Sequence, residues 1–266
     1  MLTEDVRRTV ADTLRDAEAD RRPIPPLRET WPEIDVIDAY QVQLSNIRRR
    51  LDAGARVNGH KVGLSSKAMQ DMMGVDEPDY GHLLSDMELS DPRQSSGEPV
   101  EAARFCFPRV EVEVGFVLGK ALPLEGCTED DVIAATEYVA PAIELIDSRI
   151  ADWDIKIADT IADNASSAGY VLGPERVRPQ DLDLTAINAR LLRNGSQVAE
   201  GRSDAVLGNP VTAVAWLAEK VGSFGVTLEA GHVILPGSVH RAIDVRPGDA
   251  FTAEFDGLGS VQLNFS

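Results

Sequence analysis

Residues 109–119, RVEVEVGFVLG, set Glu111 and Glu113 two positions apart in a run of β-branched and apolar residues. Side chains alternate across a strand, so the two carboxylates share one face while Val110, Val112 and Val114 share the other. Positions i and i+2 lie about 6.6 Å apart at Cα, within reach for side-chain oxygens to converge on one ion. Unpaired carboxylates about 4 Å apart repel by about 4 kcal/mol at an effective dielectric near 20, and a divalent cation removes that penalty. Oxygen ligands without imidazole or thiolate favour magnesium, manganese or calcium over zinc. The alternative is a half-exposed strand that turns its polar face to water. A third acid favours the ion: in APAIELIDSRI, Glu144 follows Ala142 and Ile143 and precedes Leu145 and Ile146. A lone ionised carboxylate buried there is costly. Asp147 and Arg149 can form an ordinary ion pair with each other, which leaves Glu144 in need of a partner.

Three further segments carry reactive side chains. Lys61 in GHKVGLSS stands between Gly59 and Gly63, where a substrate has room to approach. Beside a metal its ammonium form is disfavoured, which would lower its pKa; otherwise it is a solvated strand lysine. In VDEPDYGHL, Asp76 and Asp79 either serve chemistry or hold the turn. The polar stretch ADTIADNASSAG suits a loop beside a ligand, with Ser166 and Asn164 as candidate substrate contacts. There Asp159 and Asp163 could instead share an exposed helix face, Asn164 could cap a helix, and Ser166 could satisfy backbone groups. His82, His232 and His240 have no metal-cluster spacing and are read as structural, and Arg241 as a substrate-carboxylate contact or a surface ion pair.

These segments need a scaffold. Thr3, Glu4 and Asp5 form a helix start, and Val6, Val10 and Leu14 predict a helix near 3–19. After the proline-rich RRPIPPLRETWP, a second helix is expected with Ile37, Tyr40, Leu44, Ile47 and Leu51 on one side and Gly54 past its end. Residues 1–55 thus read as an N-terminal helical appendage, and 56–266 as a β-rich domain. Short helices are expected in SSKAMQDMMG and, capped by Thr128, in TEDDVIAATEYVA. Asn194-Gly195 predicts a type I′ hairpin, NPVTAVAWLAEKVGSFG an amphipathic helix, and GHVILPGS with the C-terminal segment more strands. Many strands and scattered helices define an α+β class with a rolled or sandwiched sheet.

The 266 residues suffice for one large domain or a domain with an appendage. With 44 acidic and 26 basic residues, the net charge of −18 repels nucleic acid and anionic lipid. A small anionic substrate would need a metal or local positive charge. No run approaches the roughly 20 apolar residues of a membrane span, and the charged start does not read as a secretory signal, so a cytoplasmic location is expected. Cys106 and Cys127 lack zinc or redox spacing. Neither GxGxxG nor a P-loop is present.

Taken together, PRVEVEVGFVL, APAIELIDSRI, IKIADTIADNASSAGYVLG, GHKVGLSS and DEPDYGHL resemble the 2-oxopent-4-enoate (2-hydroxypenta-2,4-dienoate) hydratases of aromatic meta-cleavage catabolism. The 2-oxo-3-hexenedioate decarboxylases are next of kin, within the fumarylacetoacetate hydrolase-like superfamily. The likeness runs from about residue 30 to LGSVQLNFS. It implies a mixed β-sandwich or roll of the fumarylacetoacetate hydrolase C-terminal-domain type with an N-terminal helical part. It implies Mg2+ or Mn2+ on Glu111, Glu113 and Glu144, acid–base roles for Lys61 and Asp79, and no organic cofactor. The implied reaction is hydration of 2-hydroxypenta-2,4-dienoate to 4-hydroxy-2-oxopentanoate. Three alternatives remain: decarboxylation of 2-oxo-3-hexenedioate (4-oxalocrotonate), hydration of 2-oxohept-4-ene-1,7-dioate, or a non-catalytic subunit stabilising a decarboxylase. Extra cations in the pocket would mark a diacid substrate. The resemblance also implies a homo-oligomer, with VGFVLGK or the N-terminal helices as contacts, and association with pathway enzymes.

Overall fold

The computed structural model describes residues 1–90 and 98–266. Helix α1 (Glu4–Asp20) starts where the Thr3 side chain accepts from the Val6 N–H. After α2 (Leu27–Thr30) comes α3 (Val36–Asp52), capped by Asp35 and followed by Gly54 at φ 103°. The buried stripe of α3 differs from the expected one. Ile37 is 60% exposed, whereas Asp38 and Gln43 are buried. Polar contacts set this rotation: the Leu2 N–H donates to Asp38 Oδ2 (2.8 Å), and Gln43 is bonded at both ends.

Next come β1 (Val57–Gly63), α4 (Lys67–Met73), β2 (Asp79–Leu84), β3 (Arg109–Leu118), α5 (Glu129–Ala135) and β4 (Thr136–Ile146). The helix expected across TEDDVIAATEYVA stops at Ala135, because Thr136–Ile146 pairs along β3 and the ladder outweighs local propensity. Then follow α6 (Ile157–Ala162), β5 (Ser167–Leu172), β6 (Asn188–Arg193), β7 (Ser196–Arg202) and α7 (Pro210–Gly222). The chain ends with β8 (Val233–Leu235), β9 (Ile243–Asp244), β10 (Ala250–Phe255) and β11 (Gly259–Asn264). Asn194 and Gly195 both have positive φ, 53° and 79°, as a type I′ hairpin between β6 and β7 requires.

One sheet has the order β2-β1-β8-β3-β4-β5, with β9 on the end of β3; a second has the order β11-β10-β6-β7. Among the described strands β1 and β8 pair in parallel and the other strand pairings are antiparallel, so the first sheet is mixed, and β10 and β11 pack on β4. The α+β roll with N-terminal helices is therefore the observed class. Leu2, Val10, Leu14, Tyr40 and Val42 share one apolar core with Val110, Val112, Val114, Phe116, Ile143 and Leu145. A smaller cluster with Leu83, Val117, Ala142, Tyr170, Val233 and Leu235 covers the other sheet face. Val114–Leu118 lies buried between β8 and β4, which leaves Gly119 and Lys120 as the exposed part of VGFVLGK. No helix among the described residues is long and apolar enough to cross a membrane.

Candidate metal-binding active site

Glu111 and Glu113 do not face water. They are 9% and 0% exposed, and β3–β4 register puts Glu144, also 0% exposed, directly opposite Glu111. Side chains opposite one another in a ladder share a face, so local alternation on β3 and pairing with β4 together assemble the cluster. One carboxylate oxygen from each of the three lies within 4.8 Å of those from the other two. Two residues distant in the chain already engage part of the set: Gly237 N–H donates to Glu113 Oε2 (2.7 Å) and Ser167 Oγ to Glu144 Oε1 (2.7 Å). Glu113 Oε1 and Glu144 Oε2 are left buried without a hydrogen bond.

Lys61 and Asp79 lie on this same face. Lys61 pairs with Gly81 and Gly63 with Asp79 across β1 and β2. The two glycines make the room: a Cβ at Gly63 would sit 2.2 Å from Asp79 Oδ1, and one at Gly81 would sit 2.3 Å from Asn164 O. Lys61 Nζ is 3.4 Å from Glu144 Oε2 and donates to Ala165 O at 3.0 Å. That carbonyl is presented by three successive left-handed residues, Asn164, Ala165 and Ser166 (φ 55°, 50° and 56°). Each such conformation costs on the order of 1 kcal/mol or more and persists only where its surroundings enforce it.

Burial raises the pKa of all three glutamates. Glu111 is pushed up to about 7, with Lys61 opposing and Glu144 reinforcing the rise; Glu113 is pushed well up by burial and then by Glu144 and Glu111. For Glu144 the rise is restrained by Lys61 and the Ser167 hydroxyl. Burial likewise raises Asp79, against Lys61 and the nearby Thr160 hydroxyl. Lys61 responds to the metal-free site in the direction opposite to that expected beside a metal. Burial acts to lower its pKa, but Glu144, Glu111, Asp79 and Glu113 outweigh it and raise the value, so the ammonium is favoured.

A cavity of about 990 Å3 opens onto Lys61, Asp79, Glu111 and Ser166. Glu113 and Glu144 are not part of its lining. Asn164 does not reach the cavity either: its Oδ1 accepts from His82 N–H (2.8 Å) and its Nδ2 donates to His82 O (2.9 Å), so the amide braces backbone. Asp159 and Asp163 are buried. Asp159 accepts from the Leu27 N–H and Arg28, and Asp163 pairs with Arg149 at 2.5 Å. The expected Asp147–Arg149 pair is replaced: Asp147 accepts from the Cys106 and Phe107 N–H groups instead.

Sequence reading missed Thr160, Ser167, Gly237 and the carbonyl of Ala165, whose partners are distant in the chain. Apart from Arg241, a candidate substrate-carboxylate contact, it also missed the cavity's cations. Arg109, Lys156, Arg193, Arg241 and Arg246 line the cavity, as does His240. Arg109 pairs with Asp244 at 2.8 Å and Arg193 stands 3.9 Å from Asp249. Lys156, Arg241 and Arg246 form no ion pair among the described residues, and Arg241 lines the cavity.

An all-oxygen donor set with two buried orphaned oxygens fits a hard divalent cation. Fold and cavity therefore define a divalent-cation enzyme acting on a small molecule. The chain belongs to the fumarylacetoacetate (FAA) hydrolase family: the model of its C-terminal domain matches residues 60–265. It is 44% identical over 264 residues to the 2-keto-4-pentenoate hydratase of Paraburkholderia xenovorans (strain LB400), covering 99% of this chain and 96% of that one. It is 42% identical over 271 residues to the 2-oxo-hept-4-ene-1,7-dioate hydratase of Escherichia coli, with both chains fully covered. Among solved structures, 4-oxalocrotonate decarboxylase from Pseudomonas putida G7, complexed with magnesium and adipate, superposes with a TM-score of 0.93 at 35% identity. That match covers 100% of this chain and 99% of the other.

Proposed function

We propose that this chain hydrates 2-hydroxypenta-2,4-dienoate (2-oxopent-4-enoate) to 4-hydroxy-2-oxopentanoate, with Mg2+ or Mn2+ held by Glu111, Glu113 and Glu144. The observation that carries this reading is the meeting of three buried carboxylates with Lys61 and Asp79 on one sheet face, beside a cavity rich in cations. The 44% identity to a 2-keto-4-pentenoate hydratase supports the choice of substrate. When bound, the ion draws electron density from the substrate's C2 oxygen and so makes C4 electrophilic in the 2-oxo-3-enoate. Lys61 and Asp79, on the same face as the carboxylates, serve as the proton-transfer pair: one delivers a proton at C5 and the other accepts the one leaving the 2-hydroxyl. Water then adds its oxygen to C4, and C3 gains a proton. Ser166 Oγ, buried and without a partner, is positioned on the cavity wall to meet the substrate. Cations at the cavity attract the substrate carboxylate against a net charge of −18.

Lys156, Arg241 and Arg246 also favour a second reading, a substrate with a distal carboxylate such as 2-oxohept-4-ene-1,7-dioate or 2-oxo-3-hexenedioate. The test is loss of 2-hydroxydienoate ultraviolet absorbance with and without added Mg2+ or Mn2+, followed by product identification. Metal-dependent formation of 4-hydroxy-2-oxopentanoate is expected. Faster turnover of either diacid would install the second reading, and no metal-dependent turnover of any of these substrates would overturn both in favour of a non-catalytic subunit.

A further inference from the structure

We infer that Gln43, on α3, is a positioning residue for the proton-transfer pair; this rests on the reading that Asp79 and Lys61 move protons. Gln43 is 1% exposed and lies outside the cavity lining. Its Nε2 donates to Tyr80 O (3.0 Å) and to Ile161 O (2.8 Å), and its Oε1 lies 3.1 Å from His82 Nδ1. Both amide protons are therefore committed, and the acceptor bond fixes His82 with a proton on Nδ1.

Each partner adjoins a group of the site. Tyr80 follows Asp79 on β2, and Ile161 follows Thr160, which lines the cavity together with Asp79. His82 is held along its backbone by the Asn164 amide, and Asn164 begins the left-handed stretch that brings Ala165 O to Lys61 Nζ. One side chain from the N-terminal helices thus ties together the two backbone segments that carry the aspartate and its neighbouring hydroxyl. Through His82 it also braces the loop that receives the lysine. Apolar packing against α3 would bury the same surface without specifying these three polar points.

The test compares Gln43→Leu, which cannot bond any of them, with Gln43→Asn, which keeps the amide one methylene short. Both are made in the full-length, Mn2+-loaded protein. A displacement on the order of 1 Å at the reacting groups lowers kcat by about a hundredfold, so a ten- to hundredfold loss is expected for Gln43→Leu and about tenfold for Gln43→Asn. KM and the Mn2+ dissociation constant, followed by the electron paramagnetic resonance of free ion, should stay within about threefold. In the Asp79→Asn background, adding Gln43→Leu should cost less than about twofold more, since the two act through one step. If Asp79→Asn is crippled and the Gln43 loss multiplies onto it in full, the positioning role is overturned while the acid–base reading stands. If Asp79→Asn turns over normally, the acid–base reading itself has failed. Should Gln43→Leu not fold, Gln43→Asn decides alone: kcat near wild type, or a loss that follows Mn2+ affinity, rejects the inference.

Discussion

The strands β1 and β2 present two buried polar faces that solve the same problem in opposite ways. On one, Lys61 and Asp79 stand with Glu111, Glu113 and Glu144 from β3 and β4. On the other, His60, Tyr80 and His82 pack together, with His60 and His82 ring centroids 4.8 Å apart, Tyr80 6.4 Å from His60, and His232 6.1 Å from it. Among the described residues His60 has no hydrogen-bond partner at either ring nitrogen, just as Glu113 Oε1 and Glu144 Oε2 have none. An imidazole meets burial by releasing its proton, and burial lowers His60 well below its ordinary value and His82 to about 4. A carboxylate meets it by taking a proton up or by holding a cation. The difference teaches that burial of a polar group alone does not mark a site. What separates the faces is that one converges three carboxylates on one point beside a single ammonium, Lys61, and a bound divalent cation would relieve the remaining repulsion in the ionised state.

The sharpest way to break the comparison is to remove a charge from the crowded face. Glu144→Gln should lower metal-dependent turnover by about 10³-fold or more, the scale of losing a main electrostatic contributor, while leaving circular dichroism unchanged. Wild-type turnover in that variant would reject the cluster as the reaction centre. Next in size is the effect of the ion on stability. Mn2+ at about 100 times its dissociation constant should add about 2.7 kcal/mol to unfolding free energy, read from urea denaturation. Glu144→Gln should lose that increment. His60→Phe should keep the increment in full. A metal increment that depended on His60 would place the ion on the wrong face.

The charged face was legible in the sequence to the extent that it is local. Alternation placed Glu111 beside Glu113, and the apolar neighbours of Glu144 marked it as buried. The Asn194-Gly195 turn and the Thr128 cap are also local, and both form. Properties that come from long-range pairing were not legible. The β3–β4 register decides that Glu144 meets Glu111 and also ends α5 at Ala135. Asn164 looks like a ligand residue in its polar loop, yet its amide is committed to His82, 82 residues away in the chain. Arg149 prefers Asp163 to its near neighbour Asp147 for the same reason. The Lys61 pKa rises because four acids from three other strands surround it, and a single segment carries no trace of them. His60 gave no signal at all, since its opposite-face environment is built from β2 and the turn before β8.

The smallest predicted effect lies on that opposite face and has the reverse sign to its counterpart. His60 and His82 have folded pKa values below the unfolded value near 6.5, so the folded state binds fewer protons in mild acid. Their stabilisation is complete above pH 6.5 and is lost as pH falls, toward about 4 for His82. Glu111, raised to about 7, does the opposite in the metal-free protein: its contribution is complete below pH 4.5 and lost as pH rises through about 7. Net stability therefore conceals two opposing slopes, and a single pH curve of the wild type cannot separate them. The difference between wild type and His60→Phe can, because the carboxylates are common to both and lie on the other side of the sheet. Between pH 7.5 and 5.5 the wild type should lose about 1 kcal/mol more than His60→Phe, as linkage requires for one imidazole that titrates only when unfolded. Urea unfolding at the two pH values measures it. Parallel curves would mean that His60 takes up its proton inside the fold, and the two faces would then differ only in the sign of the charge they hold.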